Sequence, residues 1–181
     1  PDNVSAIAFF ESHIRPTVEW EMLSLPVQQL STMLIKPDAS YKAVMEQNYF
    51  IRKLLPSGAV EPLSPCAVEE YEKPFVTEES RRPLWQYLLD LPLGNGPEDV
   101  VELIDNYSAW LQQSDIPKLM LYAVPGFITT IDTVQWAKDH LSNLTLVCLE
   151  DVLHFPQETA PELFAEQLSQ WYVNSCIEHC A

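Results

Sequence analysis

Three stretches of the chain are apolar without polar alternation, at residues 4–10, 118–124 and 144–149. A strand covered by helices on both faces reads this way, because neither side of its pleat meets water. Between the second and third runs, helical spacing over 130–141 puts Ile131, Val134, Trp136 and Leu141 on one apolar side. After the third, residues 161–176 carry Leu163, Phe164, Leu168, Trp171 and Tyr172 as a face able to cover a sheet. The order strand, helix, strand, helix predicts a βαβα unit of an α/β fold with parallel strands.

The long stretch 19–113 has a different pattern. Its helical periodicity is broken by Pro26, Pro37, Pro56, Pro62, Pro65, Pro74, Pro83, Pro92 and Pro97, which predicts several short helices joined by turns. Large residues (Trp20, Tyr49, Phe50, Tyr71, Phe75, Trp85, Tyr107, Trp110) recur through it. About ninety residues without a clear strand, placed between two buried strands, predict a helical cap over an α/β core. The expected organisation is a core strand and its following loop over 1–18, a cap over 19–113, and further core strands and helices over 114–181. Nothing precedes the run at 4–10, although a buried parallel strand wants neighbours on both sides. The expectation is an edge strand, or a sequence that begins inside a larger protein and associates through the unpaired edge.

Composition narrows the partners. Ten Lys+Arg against 26 Asp+Glu give a formal charge of −16, and 47% of residues are hydrophobic. That apolar content argues against disorder. The acidic balance, with no basic patch, argues against nucleic acid and against an anionic membrane surface. No apolar run reaches the 18 or so residues that cross a bilayer. Four cysteines do not make a disulfide framework in a chain of 181 residues, so thiols and a cytoplasmic location are expected. The four glycines include no phosphate-binding loop, and the acidic cluster of Glu69, Glu70, Glu72, Glu78 and Glu79 reads as a solvated face.

The candidate chemistry lies where the strands end. Glu11 directly follows the first run and has a second ionisable residue, His13, beside it. His154 follows the third run after the acidic turn Glu150-Asp151. In α/β sheets ligands sit beyond the carboxyl ends of the strands, so both residues belong to one edge. The pairing suits a carboxylate that fixes an imidazole tautomer and stabilises its charged form. A rival acid, Asp132, follows Thr129-Thr130 and is explained by a helix N-terminus that favours negative charge. Cys176, His179 and Cys180 read as a chain-end tail and not as a metal site, so no metal and no cofactor is expected.

A set of motifs, each weak alone, resembles the haloalkane dehalogenase family of α/β-hydrolases in collinear order over nearly the whole chain. These are Ile7–Pro16 with Trp20, Gln47–Ile51 running to Leu55-Pro56, Pro62-Leu63, Tyr71–Phe75 and Arg81–Trp85. Leu91-Pro92-Leu93, Pro97–Val101, Tyr107 with Trp110-Leu111, Ser114–Leu119, Pro125-Gly126 and Leu153–Glu158 complete it. Coelenterazine-oxidising luciferases of sea pansies share the scaffold and several of these motifs. The resemblance implies the C-terminal part of an α/β-hydrolase fold with an inserted helical cap. It implies Glu11 as the triad acid and His154 as the base. Phe50, Phe75 and Pro92 would line the halide and substrate pocket from the cap, and Phe127, Ile128 and Leu153 its access side. Val152, where the family usually has Gly, and Thr159, where Asp often stands, depart from the pattern. The partners implied are a small apolar halogenated substrate, water and halide. The nucleophilic Asp, its Trp neighbour and the oxyanion-hole residues would belong to an N-terminal half that precedes Pro1.

Overall fold

The computed structural model describes residues 3–16, 20–34, 36–92 and 96–177. The expected boundary at 18 and 19, Leu93 of the Leu-Pro-Leu motif, and His179 with Cys180 lie outside them. In chain order the elements are β1 (Ile7–Phe10), α1 (Leu25–Leu34), α2 (Pro37–Tyr41), α3 (Leu55–Ser57), α4 (Pro65–Glu72), α5 (Arg82–Leu89) and α6 (Glu98–Gln113). There follow β2 (Lys118–Ala123), α7 (Ile131–His140), β3 (Leu144–Leu149), α8 (Pro156–Thr159) and α9 (Pro161–Tyr172). Lys42–Glu46 and Phe50–Leu54 are wide turns of π type.

The strands form one parallel sheet in the order β1-β2-β3, with Phe9 opposite Met120 and Met120 opposite Leu146. Alternation along β2 divides its side chains between two cores. Met120 packs with Ile14, Leu111, Val134, Ala137 and Leu141 under α6 and α7. Leu119, Leu121 and Ala123 pack with Leu149, Val152 and Trp171 under α9, joined by Leu163, Phe164 and Leu168. The expected helix faces hold except at their ends, where Ile131 and Tyr172 are exposed. The expectation of three strands buried on both faces holds only for β2; β1 and β3 are half-buried. β1 is also shorter than the run at 4–10, because residues 4–6 lie outside the ladder and Val4 is exposed.

β2 opens on a fully buried lysine. The Lys118 ammonium donates to the carbonyl oxygens of Ser114, Ile116 and Ser142, the last two at 3.1 Å, tying the end of α6 to the turn that enters β3. Burial pushes its pKa down and nearby Asp115 opposes that shift.

Between β1 and β2 the described chain is helical and turned, and its prolines act mainly as starts. Pro37, Pro65 and Pro83 occupy first-turn positions, where the missing N–H costs nothing and the fixed φ is already helical. α6, with 16 residues, is the exception to the expected short helices. This insertion has its own core, where Val44 and Leu88 pack with Leu30, Phe50, Leu54, Leu84, Trp85 and Leu91. A buried guanidinium holds its turns together. Arg81 donates through Nε to Phe75 O (2.8 Å), through Nη2 to Val76 O (2.9 Å) and through Nη1 to Met45 O (2.6 Å). Asn48, at φ 52° and fully buried, donates to Glu72 Oε1 at 3.1 Å. Asn is among the few residue types that adopt this backbone region readily.

Candidate functional site

Two strand ends and one tight turn place the acid. β1 stops at Phe10, and Glu11, at φ 47°, turns its buried side chain toward the end of β2. There the chain passes the cis Val124–Pro125 bond and Gly126, then presents three successive N–H groups. Phe127 and Ile128 donate to Glu11 Oε2 at 3.0 and 2.6 Å, and Thr129 donates to Oε1 at 3.2 Å. Consecutive backbone N–H groups converging in this way form an anion-binding nest. Gly126 makes it possible: a Cβ there would stand 1.8 Å from Thr129 O and 2.9 Å from Glu11 Oε1. Thr129 Oγ1 accepts from Ser12 N at 3.2 Å, and Ser24 donates its hydroxyl to Phe127 O. The nest is thus fastened to the loop after β1 and to the start of the insertion.

The imidazole comes from the loop after β3. His154 Nδ1 stands 3.0 Å from Glu11 Oε2, and its ring lies between Phe127 and Phe155 at centroid distances of 5.2 and 4.6 Å. Phe155 N donates to Gly58 O at 3.1 Å, so the insertion grips the histidine loop directly. Gly58 permits the approach, since a Cβ would meet Phe155 Cε2 at 2.5 Å. With a proton on Nδ1 shared toward the carboxylate, Nε2 on the far side of the ring keeps its lone pair. That is the arrangement of a general base, and the same carboxylate would steady the imidazolium once formed.

His154 faces an apolar cavity of about 200 Å³. The insertion supplies Leu30, Phe50, Leu54, Tyr87, Leu88 and Leu91, and the strand-end loops supply Phe127, Ile128 and Phe155. Among the sequence-predicted lining residues, Phe50, Phe127 and Ile128 are in this wall. Leu153 lines an adjoining cavity of about 590 Å³ that shares Leu30, Leu54 and Phe127 with the first. Phe75 and Pro92 are not among the lining residues of the 200 Å³ cavity. Phe75 serves the fold instead, through the carbonyl that accepts from Arg81, and Pro92 is buried next to Leu91, which does line it. Asp132 is exposed in the first turn of α7. No group of His, Cys, Asp and Glu among the described residues could hold a metal ion.

Sequence reasoning gave no role to His13, which also lines the cavity. Its backbone carbonyl accepts from the Tyr107 hydroxyl, and burial pushes that phenol up to about 12. Burial lowers the pKa of His13 itself; Glu11 works against the shift and His154 adds to it. The adjacency of His13 to Glu11 was the available signal. Leu54, Tyr87, Leu88 and Leu91 gave none, because pocket-facing and core-facing apolar residues look alike in a helical stretch.

No model of a known protein family matches the sequence. The chain is 32% identical over 171 residues to a haloalkane dehalogenase of Agrobacterium fabrum, covering 94% of this chain and 56% of that protein. It is 33% identical over 180 residues to the coelenterazine h 2-monooxygenase of Renilla reniformis, covering 98% and 55%. The fold is similar to the crystal structure of a haloalkane dehalogenase from Agrobacterium tumefaciens C58, with a TM-score of 0.88 at 31% identity, over 97% of this chain and 60% of that one. A putative ancestral haloalkane dehalogenase gives a TM-score of 0.89 at 30% identity, over 96% and 61%. The chain therefore spans a little over half the length of the curated relatives it matches.

Proposed function

We propose, from the premise that this chain is a homologue of haloalkane dehalogenases sharing part of their α/β-hydrolase fold, that it carries the water-activating half of a dehalogenase-like site. The observation that supports this most is the Glu11–His154 pair, held at 3.0 Å on the wall of an apolar cavity. No Asp among the described residues lines that cavity. In this reading a nucleophilic Asp outside these 181 residues attacks the carbon that bears halogen, forming an alkyl-enzyme ester and releasing halide. His154 Nε2 then takes a proton from water, the hydroxide attacks the ester carbonyl, and alcohol leaves while Glu11 stabilises the imidazolium. The apolar walls keep competing water from the carbon–halogen bond. The insertion is the cap in this account, the substrate is a small halogenated apolar molecule, and the setting is cytoplasmic. No helix among the described residues is long and apolar enough to cross a membrane.

A second reading rests on the 33% identity to the coelenterazine h 2-monooxygenase: a monooxygenase of that kind on the same scaffold. One pair of assays separates the two. Protein that includes the nucleophile-bearing part is mixed with 1-haloalkanes and, separately, with coelenterazine. Halide release without light supports the dehalogenase reading; light without halide release replaces it. Neither signal would make the chain a non-catalytic relative.

A further inference from the structure

Among the described residues 14 line the 200 Å³ cavity, and of these only His13, Tyr87 and His154 carry polar side-chain atoms. His154 has its Nδ1 engaged by Glu11, and Tyr87 is half-exposed. His13 is the unusual member, because its Nε2 is buried with no hydrogen-bond partner. A buried nitrogen left without a hydrogen-bond partner is unfavourable, so its occurrence in a ligand-sized cavity wall calls for a partner. The residue is not loosely placed: the Tyr107 hydroxyl grips its carbonyl and Ile14, the next residue, is in the sheet core. A neighbouring void of about 20 Å³ shares His13, Val27 and Ile128 with the cavity and is lined besides by Ser12, Arg15, Ser24 and Thr133 together with Ile14, Met22 and Leu23. That void has room for one water. His13 therefore lines both the apolar chamber and a small void of mixed lining beside it.

We propose that His13 is a specificity residue, the polar anchor of the cavity, and selects a ligand with an apolar halogenated body and one hydrogen-bonding group such as a hydroxyl. The ligand class rests on the dehalogenase reading, whereas the anchor rests on the cavity alone. A neutral imidazole has one donor and one acceptor nitrogen, so it pairs with a hydroxyl in either tautomer. Burial favours the neutral form here. An alkyl halide without such a group would fill the chamber and leave Nε2 unpaired, and that is the source of discrimination.

The probes are 1-chlorohexane and 6-chlorohexan-1-ol, titrated into the protein with the histidine side chains labelled with ¹⁵N. The chloro-alcohol binds about 2- to 10-fold more tightly, as one net hydrogen bond allows, and shifts the His13 Nε2 resonance, which 1-chlorohexane leaves in place. His13→Leu brings the affinity ratio to about one, and His13→Gln, which keeps a hydrogen-bonding end, retains a preference. An unshifted Nε2 resonance would mean that water in the small void serves it, and would overturn the proposal. So would equal affinities in the wild type, an unchanged ratio in both variants, or binding of neither probe. If the ratio behaves as described and no halide is ever released, the anchor stands and the dehalogenase reading fails. If halide is released from both probes with equal affinities, the reverse holds.

Discussion

The sheet and the helical insertion are stabilised in different ways. In the sheet, β2 is paired on both sides and its side chains fill two cores, so its position is fixed by many neighbours at once. The insertion has a small core around Val44 and Leu88, and its turns depend on single side chains that serve backbone carbonyls, Arg81 above all. The candidate site lies where the two meet. Its acid and its imidazole hang from strand ends, while Leu30, Phe50, Tyr87 and Leu91 come from the insertion. With the pair on the strand ends and the cavity wall largely on the insertion, substitutions in the insertion would change the cavity's shape without moving Glu11 and His154.

That contrast breaks most severely at Gly126. In Gly126→Val the new Cβ must displace the Thr129 carbonyl, so the nest around Glu11 cannot form. The expected loss of stability is about 3 kcal/mol, at the upper end for overpacking, and the hydrogen bond between Glu11 and His154 breaks with it. Denaturant melts and the His154 imidazole resonances measure the two effects. A variant that melts like the wild type would show that the turn is not constrained by close approach.

Arg81→Ala tests the other region. Removing the guanidinium leaves the Met45 carbonyl without its buried donor and loosens those of Phe75 and Val76, and should cost about 2 kcal/mol. Arg81→Lys should recover little, because one ammonium cannot reproduce the planar fork. Hydrogen exchange should accelerate across α4 and α5 and stay slow in β2. Equal acceleration in both would mean that insertion and sheet unfold as one unit.

A smaller effect follows from His13. Burial depresses its folded pKa below 6.5, so between those two values the unfolded chain binds more protons than the folded one. Stability from this residue is full above about pH 6.5 and declines as pH falls through that value toward the folded pKa. His13→Leu should flatten that part of the pH–stability curve. The charges of Glu11 and His154 act on His13, so the comparison is between the two curves and not between either and a flat line. An unchanged slope in the variant would show that His13 does not carry it. Smallest is Tyr71→Phe, which removes the hydroxyl that α4 donates to Glu158 in α8. About 1 kcal/mol is expected, seen as faster exchange in α8 with β3 unaffected.

Much of the sheet region was legible in the sequence. Long apolar runs announced the strands, and Glu11 directly after the first with His154 a short turn after the third pointed to one edge of the sheet, where the structure brings the two together. The limits were local. The run at 4–10 overstated β1, because apolar residues that sit outside a ladder look the same as those inside it. Ile131 and Tyr172 fit a helical stripe but fall at helix ends, past the area the sheet covers. The nest around Glu11 was invisible, since backbone N–H groups leave no mark on residue type; only Gly126 hinted at a close approach. In the insertion the prolines read as breaks, whereas several begin helices. Phe75 shows the same difficulty, as a ring expected at the pocket is not among the lining residues of the 200 Å³ cavity and belongs to a turn whose carbonyl accepts from Arg81.

In the dehalogenase reading His154, held by Glu11, takes a proton from water only after an alkyl-enzyme has formed. Alkylation needs no such proton, and hydrolysis of the ester does. Protein that includes the nucleophile-bearing part and carries His154→Phe is mixed with a 1-haloalkane and followed by intact-mass spectrometry. The account expects an adduct of one alkyl group with one equivalent of halide, and turnover slowed by about 10²–10⁴-fold. A variant that forms no adduct and releases no halide burst, or one that turns over at the wild-type rate, would contradict it.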